Sequence, residues 1–258
     1  MPKCLVVQHV APESAFAIAD ALAVAGVEVD TRRVFAGEGI PADGSGLEGL
    51  VVMGGPMSAG SDDRFPTRAA ELALLADAID RGVPTLGVCL GAQLLAVAAG
   101  GSVFPGACGP EIGWGPVDLA AESGGDRLLA GLPSPLTVMH WHGETFDLPD
   151  RGVRLVGNAN YPNQGFRIGT AAWGLQFHLE VTAPAVEGFL AAFGADAEHT
   201  DGGPDAIRSA TPKAVAAVAG ARGLVFQRFA GLVADGSADR SAPRASTPIA
   251  AGQLADLT

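Results

Sequence analysis

The fold is indicated most clearly by residues 85–93, which read TLGVCLGAQ. Residues 83–88 predict a short buried strand and residues 90–99 predict a helix, so Cys89 lies on the tight turn between them. Glycines on both sides permit a sharp bend and the close approach of a substrate, as in a nucleophile elbow. The helix N-terminus favours a thiolate at this position. Because buried cysteines are usually inert, the turn alone identifies only a candidate nucleophile.

A candidate base follows in residues 173–180, which read WGLQFHLE. The predicted strand 175–177 ends at His178, and Glu180 faces the same side two residues later. A carboxylate there can hold the imidazole in one tautomer while the other ring nitrogen faces a thiol. Taken alone, His178 is more typical of a core histidine at a strand end than of a catalytic base. Combined with the elbow, it favours a triad of Cys89, His178 and Glu180.

Residues 49–60, GLVVMGGPMSAG, predict a buried strand that runs into a glycine pair and a proline. Acyl transfer develops an oxyanion, and two backbone N–H groups aimed at it would stabilise the negative charge. The N–H groups of Gly55 and Leu90 are the natural pair. Gly-Gly-Pro is also common at ordinary strand exits, so this segment gains weight only beside the other two.

The three segments together, in this order, resemble the class I glutamine amidotransferases. Two further segments add to the resemblance: residues 110–114, PEIGW, are similar to a family loop after the nucleophile helix, and residues 161–167, YPNQGFR, look like the segment that holds the glutamine α-amino and α-carboxyl groups. The resemblance covers residues 3–193. One departure is Leu179, where the family usually has proline. Leucine keeps the His-x-Glu spacing, so the departure concerns fine geometry.

The resemblance implies a reaction and a set of binding residues. Cys89 would attack the side-chain amide of a γ-glutamyl group, and His178, oriented by Glu180, would carry the proton to the leaving amine. A γ-glutamyl thioester would form, and water would release glutamate. No cofactor is implied. The substrate-binding residues implied by the resemblance are Gly54, Gln93, His142, Asn163, Gln164, Gly165 and Phe166.

Residues 140–144, HWHGE, allow a different interpretation. Alternation could place His140 and His142 on one strand face as metal ligands. No third ligand of matching spacing is evident, so we expect no metal site. In the family resemblance this segment borders the active-site cleft, where His142 would contact substrate or order a loop.

Composition excludes several classes of protein. The chain has 258 residues, of which 48% are hydrophobic and 17% charged, as expected for a globular enzyme. A net charge of −12 argues against binding to nucleic acid or to an anionic membrane surface. Three scattered cysteines (Cys4, Cys89 and Cys108) do not form a disulfide framework, and no targeting segment or membrane span is evident. We therefore expect a cytoplasmic protein.

Short apolar strands alternating with amphipathic helices predict an α/β fold. We expect a flavodoxin-like three-layer sandwich, whose mostly parallel central sheet has helices on both faces. From residue 103 the pattern predicts a smaller antiparallel addition, including one strand over 167–177 and a helix over 184–193. The predicted organisation is a catalytic domain over 1–194, a helical extension over 195–234 and a flexible tail over 235–258.

Three functions remain open at this point. The first is an autonomous γ-glutamyl hydrolase or glutaminase, similar to the stand-alone relatives of the amidotransferase domain of GMP synthetase and to γ-glutamyl peptidases. The second is a glutaminase subunit that delivers ammonia to a separate synthetase. The third is a non-catalytic regulatory protein that keeps the fold, and an oligomer is compatible with all three. An exposed apolar face on the extension would indicate a partner, and a buried one a packed cap.

Overall fold

The computed structural model describes residues 1–198 and 200–240. It contains eleven strands and five α-helices within those residues. The strands are β1 (Lys3–Gln8), β2 (Glu28–Arg33), β3 (Gly49–Val52), β4 (Thr85–Val88), β5 (Val103–Pro105), β6 (Glu111–Leu119), β7 (Leu136–His142), β8 (Glu144–Phe146), β9 (Gly152–Gly157), β10 (Gly165–Ile168) and β11 (Ala172–Leu175). The helices are α1 (Phe16–Val24), α2 (Arg68–Arg81), α3 (Leu90–Ala98), α4 (Ala183–Ala197) and α5 (Gly203–Arg240).

Nine strands form one central sheet in the order β2-β1-β3-β4-β11-β10-β9-β6-β7. The first five strands in this order pair in parallel, and the remaining pairs are antiparallel. Strands β3 and β4 are buried along their whole length, as continuous apolar runs in a doubly covered sheet should be. The predicted α/β sandwich with a mostly parallel sheet and an antiparallel addition is confirmed.

Helices cover both faces of the sheet. Along β1, Val6 points into the core beneath α1 and α5, while Leu5 and Val7 point into the core beneath α2 and α3. This alternation follows from the two-residue period of a strand. A third cluster, around Met139 and Phe189, packs α4 beside β7. The carboxyl ends of β3, β4 and β11 therefore open towards the side on which α4 lies.

The single strand predicted over residues 167–177 is wrong. The segment forms two antiparallel strands, β10 and β11, which are joined by a turn at Gly169, where φ is +58°. A continuous apolar sequence concealed this turn, because glycine alone supplies the left-handed conformation and no proline or asparagine marks it. The turn has a topological consequence: β11 runs parallel to β4, and β10 beside it runs the other way.

The C-terminal part is helical, with different limits from those expected. The boundary proposed at residue 194 falls inside α4, and α5 continues to Arg240. Of the tail predicted over 235–258, residues 241–258 lie outside the described residues. The apolar side chains of α5 face the sheet and α1, with Phe226 and Phe229 fully buried. None of the helices in the described ranges combines the length and hydrophobicity needed to cross a lipid bilayer.

Candidate active site

Cys89 occupies a strained turn between β4 and α3. Its backbone has φ of 52° and ψ of −108°, which is unusual for a residue with a side chain. Its N–H donates to the Leu175 carbonyl at 2.8 Å, which ties the turn to β11. A Cβ at Gly87 would collide with the Gly91 backbone, and one at Gly91 would collide with the Val52 carbonyl. Both glycines are therefore required for this turn on steric grounds.

His178 and Glu180 form a buried pair just beyond the end of β11. His178 Nδ1 lies 2.8 Å from Glu180 Oε1, and both side chains are only 1% exposed. Because the carboxylate accepts a hydrogen bond from the Nδ1 proton, the lone pair lies on Nε2. That atom has no well-aligned hydrogen-bond partner among the described residues, yet it is close enough to the Cys89 thiol to influence it. The backbone N–H of His178 donates to the Met139 carbonyl at 2.8 Å, which fixes the position of the His178 backbone.

The protonation equilibria of Cys89 and His178 are coupled. Burial raises the pKa of the Cys89 thiol, while the neighbouring His178 opposes that rise. Burial lowers the pKa of His178, but the negative charge of Glu180 and the interaction with Cys89 outweigh it, so this pKa is well above its usual value. Glu180 therefore strengthens His178 as a proton acceptor for the neighbouring thiol.

A cavity of about 630 Å³ opens onto the thiol. Four residues proposed from the sequence line it: Gly55, Cys89, Gln93 and His142. The Gly55 N–H has no acceptor among the described residues, and the Leu90 N–H at the start of α3 interacts with the sulfur and lowers the pKa of Cys89. The N–H groups of Gly55 and Leu90 therefore remain the candidate oxyanion donors at this cavity.

Gln93 connects the cavity to the nucleophile through a residue that the sequence analysis did not single out. Gln93 Nε2 donates to Gln176 Oε1 at 3.2 Å, and Gln176 Nε2 lies 3.8 Å from Cys89 Sγ. Gln176 is fully buried. The sequence could have indicated this residue, because it lies two residues before His178 and directly follows β11.

Five of the seven expected substrate-binding residues do not line the cavity: Gly54, Asn163, Gln164, Gly165 and Phe166. Phe166 is fully buried and packs edge-to-face on Phe146 with ring centroids 5.0 Å apart. Asn163 Nδ2 donates to the Phe146 carbonyl at 2.8 Å. A Cβ at Gly165 would come within 2.8 Å of the Val156 side chain. In this structure these last three residues pack around β10, the strand next to β11.

Gln164 belongs to a buried polar cluster with Glu111, His140 and His142. Gln164 Nε2 donates to Glu111 Oε2 at 2.5 Å, and that oxygen lies 3.2 Å from His142 Nε2 and 3.6 Å from His140 Nδ1. Burial would raise the pKa of Glu111, but hydrogen bonds and the two imidazoles lower it to about 2. Burial lowers the pKa of His140 to about 4. The expectation that the two histidines lack a third candidate ligand is wrong, because the fold adds Glu111.

Glu13 is a further residue that the sequence did not reveal. Its carboxyl group lines the cavity, is buried, and has Oε2 without a hydrogen-bond partner among the described residues. Burial raises its pKa. A Cβ at Gly54 would collide with this carboxyl group and lie 3.3 Å from His178 Cε1, which explains the glycine there. Glu13 precedes α1 in a segment with no recognisable motif.

Comparison with known proteins identifies the family. The family model "Glutamine amidotransferase class-I" matches residues 14–191. The glutamine amidotransferase-like protein YfeJ of Salmonella typhimurium is 35% identical over 169 residues, 64% of this chain and 70% of the relative. A glutamine amidotransferase from Thermotoga maritima has a crystal structure with a TM-score of 0.80 at 30% identity, covering 90% of this chain and 98% of that one. The chain belongs to the class I glutamine amidotransferase family.

Other relatives carry synthase names. GMP synthase [glutamine-hydrolyzing] of Porphyromonas gingivalis is 38% identical over 145 residues, 55% of this chain and 26% of the synthase. The chain therefore spans about a quarter of that protein. In Thermoplasma acidophilum, a protein named as one subunit of GMP synthase [glutamine-hydrolyzing] is 32% identical over 166 residues, 64% of this chain and 70% of that protein.

Proposed function

We propose that this protein hydrolyses the side-chain amide of glutamine or of another γ-glutamyl compound through a thioester on Cys89. The observation that carries the proposal is the contact of 2.8 Å between His178 Nδ1 and Glu180 Oε1, which leaves Nε2 as an acceptor beside a cysteine on an elbow. The products are glutamate and either ammonia or an amine. Family membership supports the same chemistry.

The first half of the reaction forms the thioester. His178 Nε2 takes the proton from Cys89, and the sulfur attacks the amide carbon. The N–H groups of Gly55 and Leu90 stabilise the oxyanion that develops. His178 then gives its proton to the leaving nitrogen, the carbon–nitrogen bond breaks, and ammonia or an amine departs.

The second half releases glutamate. Water gives a proton to His178 Nε2 and attacks the thioester carbon, and the same two N–H groups stabilise the second oxyanion. The carbon–sulfur bond breaks, and the proton on His178 returns to the thiolate of Cys89. Throughout the cycle Glu180 holds the imidazole through Nδ1.

Substrate binding involves the cavity and the structure behind it. Gln93 and His142 line the cavity and both contact the Glu144 carbonyl, at 3.4 and 3.0 Å, while Gly54 lies against Glu13 and His178. The interior residues 163–166 hold β10 and the polar cluster in position, so they act on the substrate through the residues that line the cavity. The γ-glutamyl group occupies the part nearest Cys89, and the leaving amine extends towards Trp141 and Phe189.

Glutamate release by the purified protein tests the proposal, with wild type compared with Cys89→Ala. The substrates are glutamine, glutathione, a glutathione conjugate and γ-glutamyl dipeptides. Release that depends on Cys89 from a γ-glutamyl peptide, with glutamine a poor substrate, would establish an autonomous hydrolase. Normal turnover in folded Cys89→Ala would overturn the thioester mechanism.

A second candidate is a glutaminase subunit that delivers ammonia to a separate synthetase. Similarity to the Thermoplasma acidophilum protein, which is named as one subunit of GMP synthase, favours it. The buried apolar face of α5 favours a packed cap, so this helix offers no exposed apolar docking surface over the described residues. Slow hydrolysis of glutamine alone, with no hydrolysis of γ-glutamyl peptides, would support this candidate, and rapid hydrolysis of a peptide would oppose it.

A further inference from the structure

The antiparallel pairing of β6 and β7 brings three potential metal ligands together. Glu111 pairs directly with His142 across the two strands, and His140 lies two residues before His142 on the same strand face. Each of the three side chains offers one possible ligand atom, and these atoms all lie within 4.8 Å of one another. We propose that Glu111, His140 and His142 bind one divalent transition-metal ion of the zinc type.

The separations of the ligand atoms fit such an ion. The carboxylate oxygen lies 3.6 Å from His140 Nδ1 and 3.2 Å from His142 Nε2. Zinc bonds to nitrogen and oxygen are about 2.0–2.2 Å long, so ligand atoms around a tetrahedral ion stand about 3.3–3.6 Å apart. The two separations between the carboxylate and the imidazoles match this spacing, and an ion bound by all three residues would bring the two imidazoles to the same spacing.

Hydrogen bonds on the far side of each ring direct the lone pairs inward. His142 Nδ1 lies 3.0 Å from the Glu144 carbonyl and must donate its proton to it, because a carbonyl only accepts. The His140 ring hydrogen-bonds to the backbone of Gly115, and its Nδ1 is buried without a partner. Metal-ligating histidines are usually oriented by this kind of bond from the second ring nitrogen to a carbonyl.

The carboxylate is also held in place by neighbouring amides. Asn158 Nδ2 lies 2.9 and 3.1 Å from the two oxygens of Glu111, and Asn160 Nδ2 lies 3.0 Å from Oε1. Gln164 Nε2 donates to Oε2, while Gln164 Oε1 is buried without a partner. A water molecule would supply the fourth ligand.

A simple ion pair explains less of the arrangement. Without a metal ion, His142 Nε2 can accept a hydrogen bond from Gln164 Nε2 at 3.4 Å, but His140 Nδ1 is buried without a hydrogen-bond partner. Unpartnered buried acceptors are unfavourable. A metal ion would satisfy the His140 nitrogen, the His142 nitrogen and the carboxylate together. It would also fix His142, which lines the cavity in front of Cys89.

Zinc titration of chelator-treated protein, followed by calorimetry, tests the site. The variants are Glu111→Gln, His140→Gln and Cys89→Ala, with Glu187→Gln as a control that makes the same carboxylate-to-amide change on the exposed surface. We expect one zinc ion to bind wild type, Cys89→Ala and Glu187→Gln with equal affinity. Glu111→Gln and His140→Gln should each weaken binding about 100-fold or more, since they remove a ligand. Circular dichroism establishes that each variant is folded.

Three results would overturn the proposal. The first is no stoichiometric zinc binding by wild type. The second is undiminished binding by folded Glu111→Gln, which decides the matter if His140→Gln does not fold. The third is loss of binding in Cys89→Ala, which would place the ion on the nucleophile. Because zinc binding is measured without substrate, its failure is distinct from a failure of γ-glutamyl hydrolysis.

Discussion

His178 Nδ1 and Glu180 Oε1 lie 2.8 Å apart in a part of the protein from which water is almost fully excluded. The two residues are separated by one residue in the bends that follow β11, so a local arrangement of the chain brings them together. The pair fixes which ring nitrogen faces Cys89. It therefore sets the direction of proton transfer in the proposed reaction.

Replacing His178 should reduce turnover more than replacing its carboxylate partner. His178→Ala removes the proton acceptor and should lower kcat by about 10²–10⁴-fold. Glu180→Gln keeps the size of the side chain and one acceptor oxygen, so the loss should be smaller. Steady-state hydrolysis of the best γ-glutamyl substrate measures both, and a larger loss in Glu180→Gln would contradict the orienting role.

Adding one methyl group at Gly54 should damage the site. Gly54→Ala drives a Cβ into the Glu13 carboxyl group and close to the His178 ring. We expect a loss of about 1–3 kcal/mol in the free energy of unfolding, together with a lower kcat. Gly124→Ala is the matched control, because a Cβ there meets nothing within 4 Å. Equal urea midpoints for the two variants would count against this steric account.

Glu13 should make stability depend on pH. Its folded-state pKa is raised by burial, so between the unfolded value of 4.5 and the folded value the folded state holds the extra proton. The free energy of unfolding therefore falls as pH rises through that window. Glu13→Gln abolishes this titration. The variant should therefore be more stable than wild type at pH 7, and the difference between them should be smaller at pH 4.

Urea unfolding at the two pH values measures this effect. Glu187→Gln, at an exposed carboxylate, serves as the control and should show the pH dependence of wild type. An identical response of Glu13→Gln and wild type would mean that Glu13 is ionised without penalty in the folded protein.

Truncation on α5 tests whether this helix is part of the core. Phe229 is fully buried, and Phe229→Ala should cost about 3–5 kcal/mol in the free energy of unfolding. Phe35 is 48% exposed, so Phe35→Ala should cost much less. A small effect at Phe229 would mean that α5 adds little to the stability of the fold.

The sequence was most informative where structure is local. The elbow at Cys89 depends on a strand, a turn and a helix within a dozen residues, and glycine spacing reveals all three. The position of His178 beside Glu180 also follows from adjacent residues. The alternating apolar pattern was sufficient for the sheet and its two helical layers, because each strand and helix carries its own periodicity.

The sequence was least informative where contacts depend on register. Glu111 meets His140 and His142 only because β6 and β7 pair in one particular alignment, and about thirty residues separate them in the chain. Residues 163–166 matched a family segment, yet their burial depends on how β10 is placed between β9 and β11. The turn at Gly169 was missed because the apolar sequence continues through it.

The in-register pairing of β4 with β11 has a consequence for how the proposed activity is lost on heating. Val88 and Leu175 are partners at the ends of two adjacent strands in the middle of the sheet, and the Cys89 N–H bonds to the Leu175 carbonyl. Cys89 and His178, the proposed nucleophile and base, are therefore expected to belong to one cooperative unit. Heat inactivation should coincide with melting of the whole sheet, and the amide of Cys89 should exchange its hydrogen as slowly as the most protected amides in the protein.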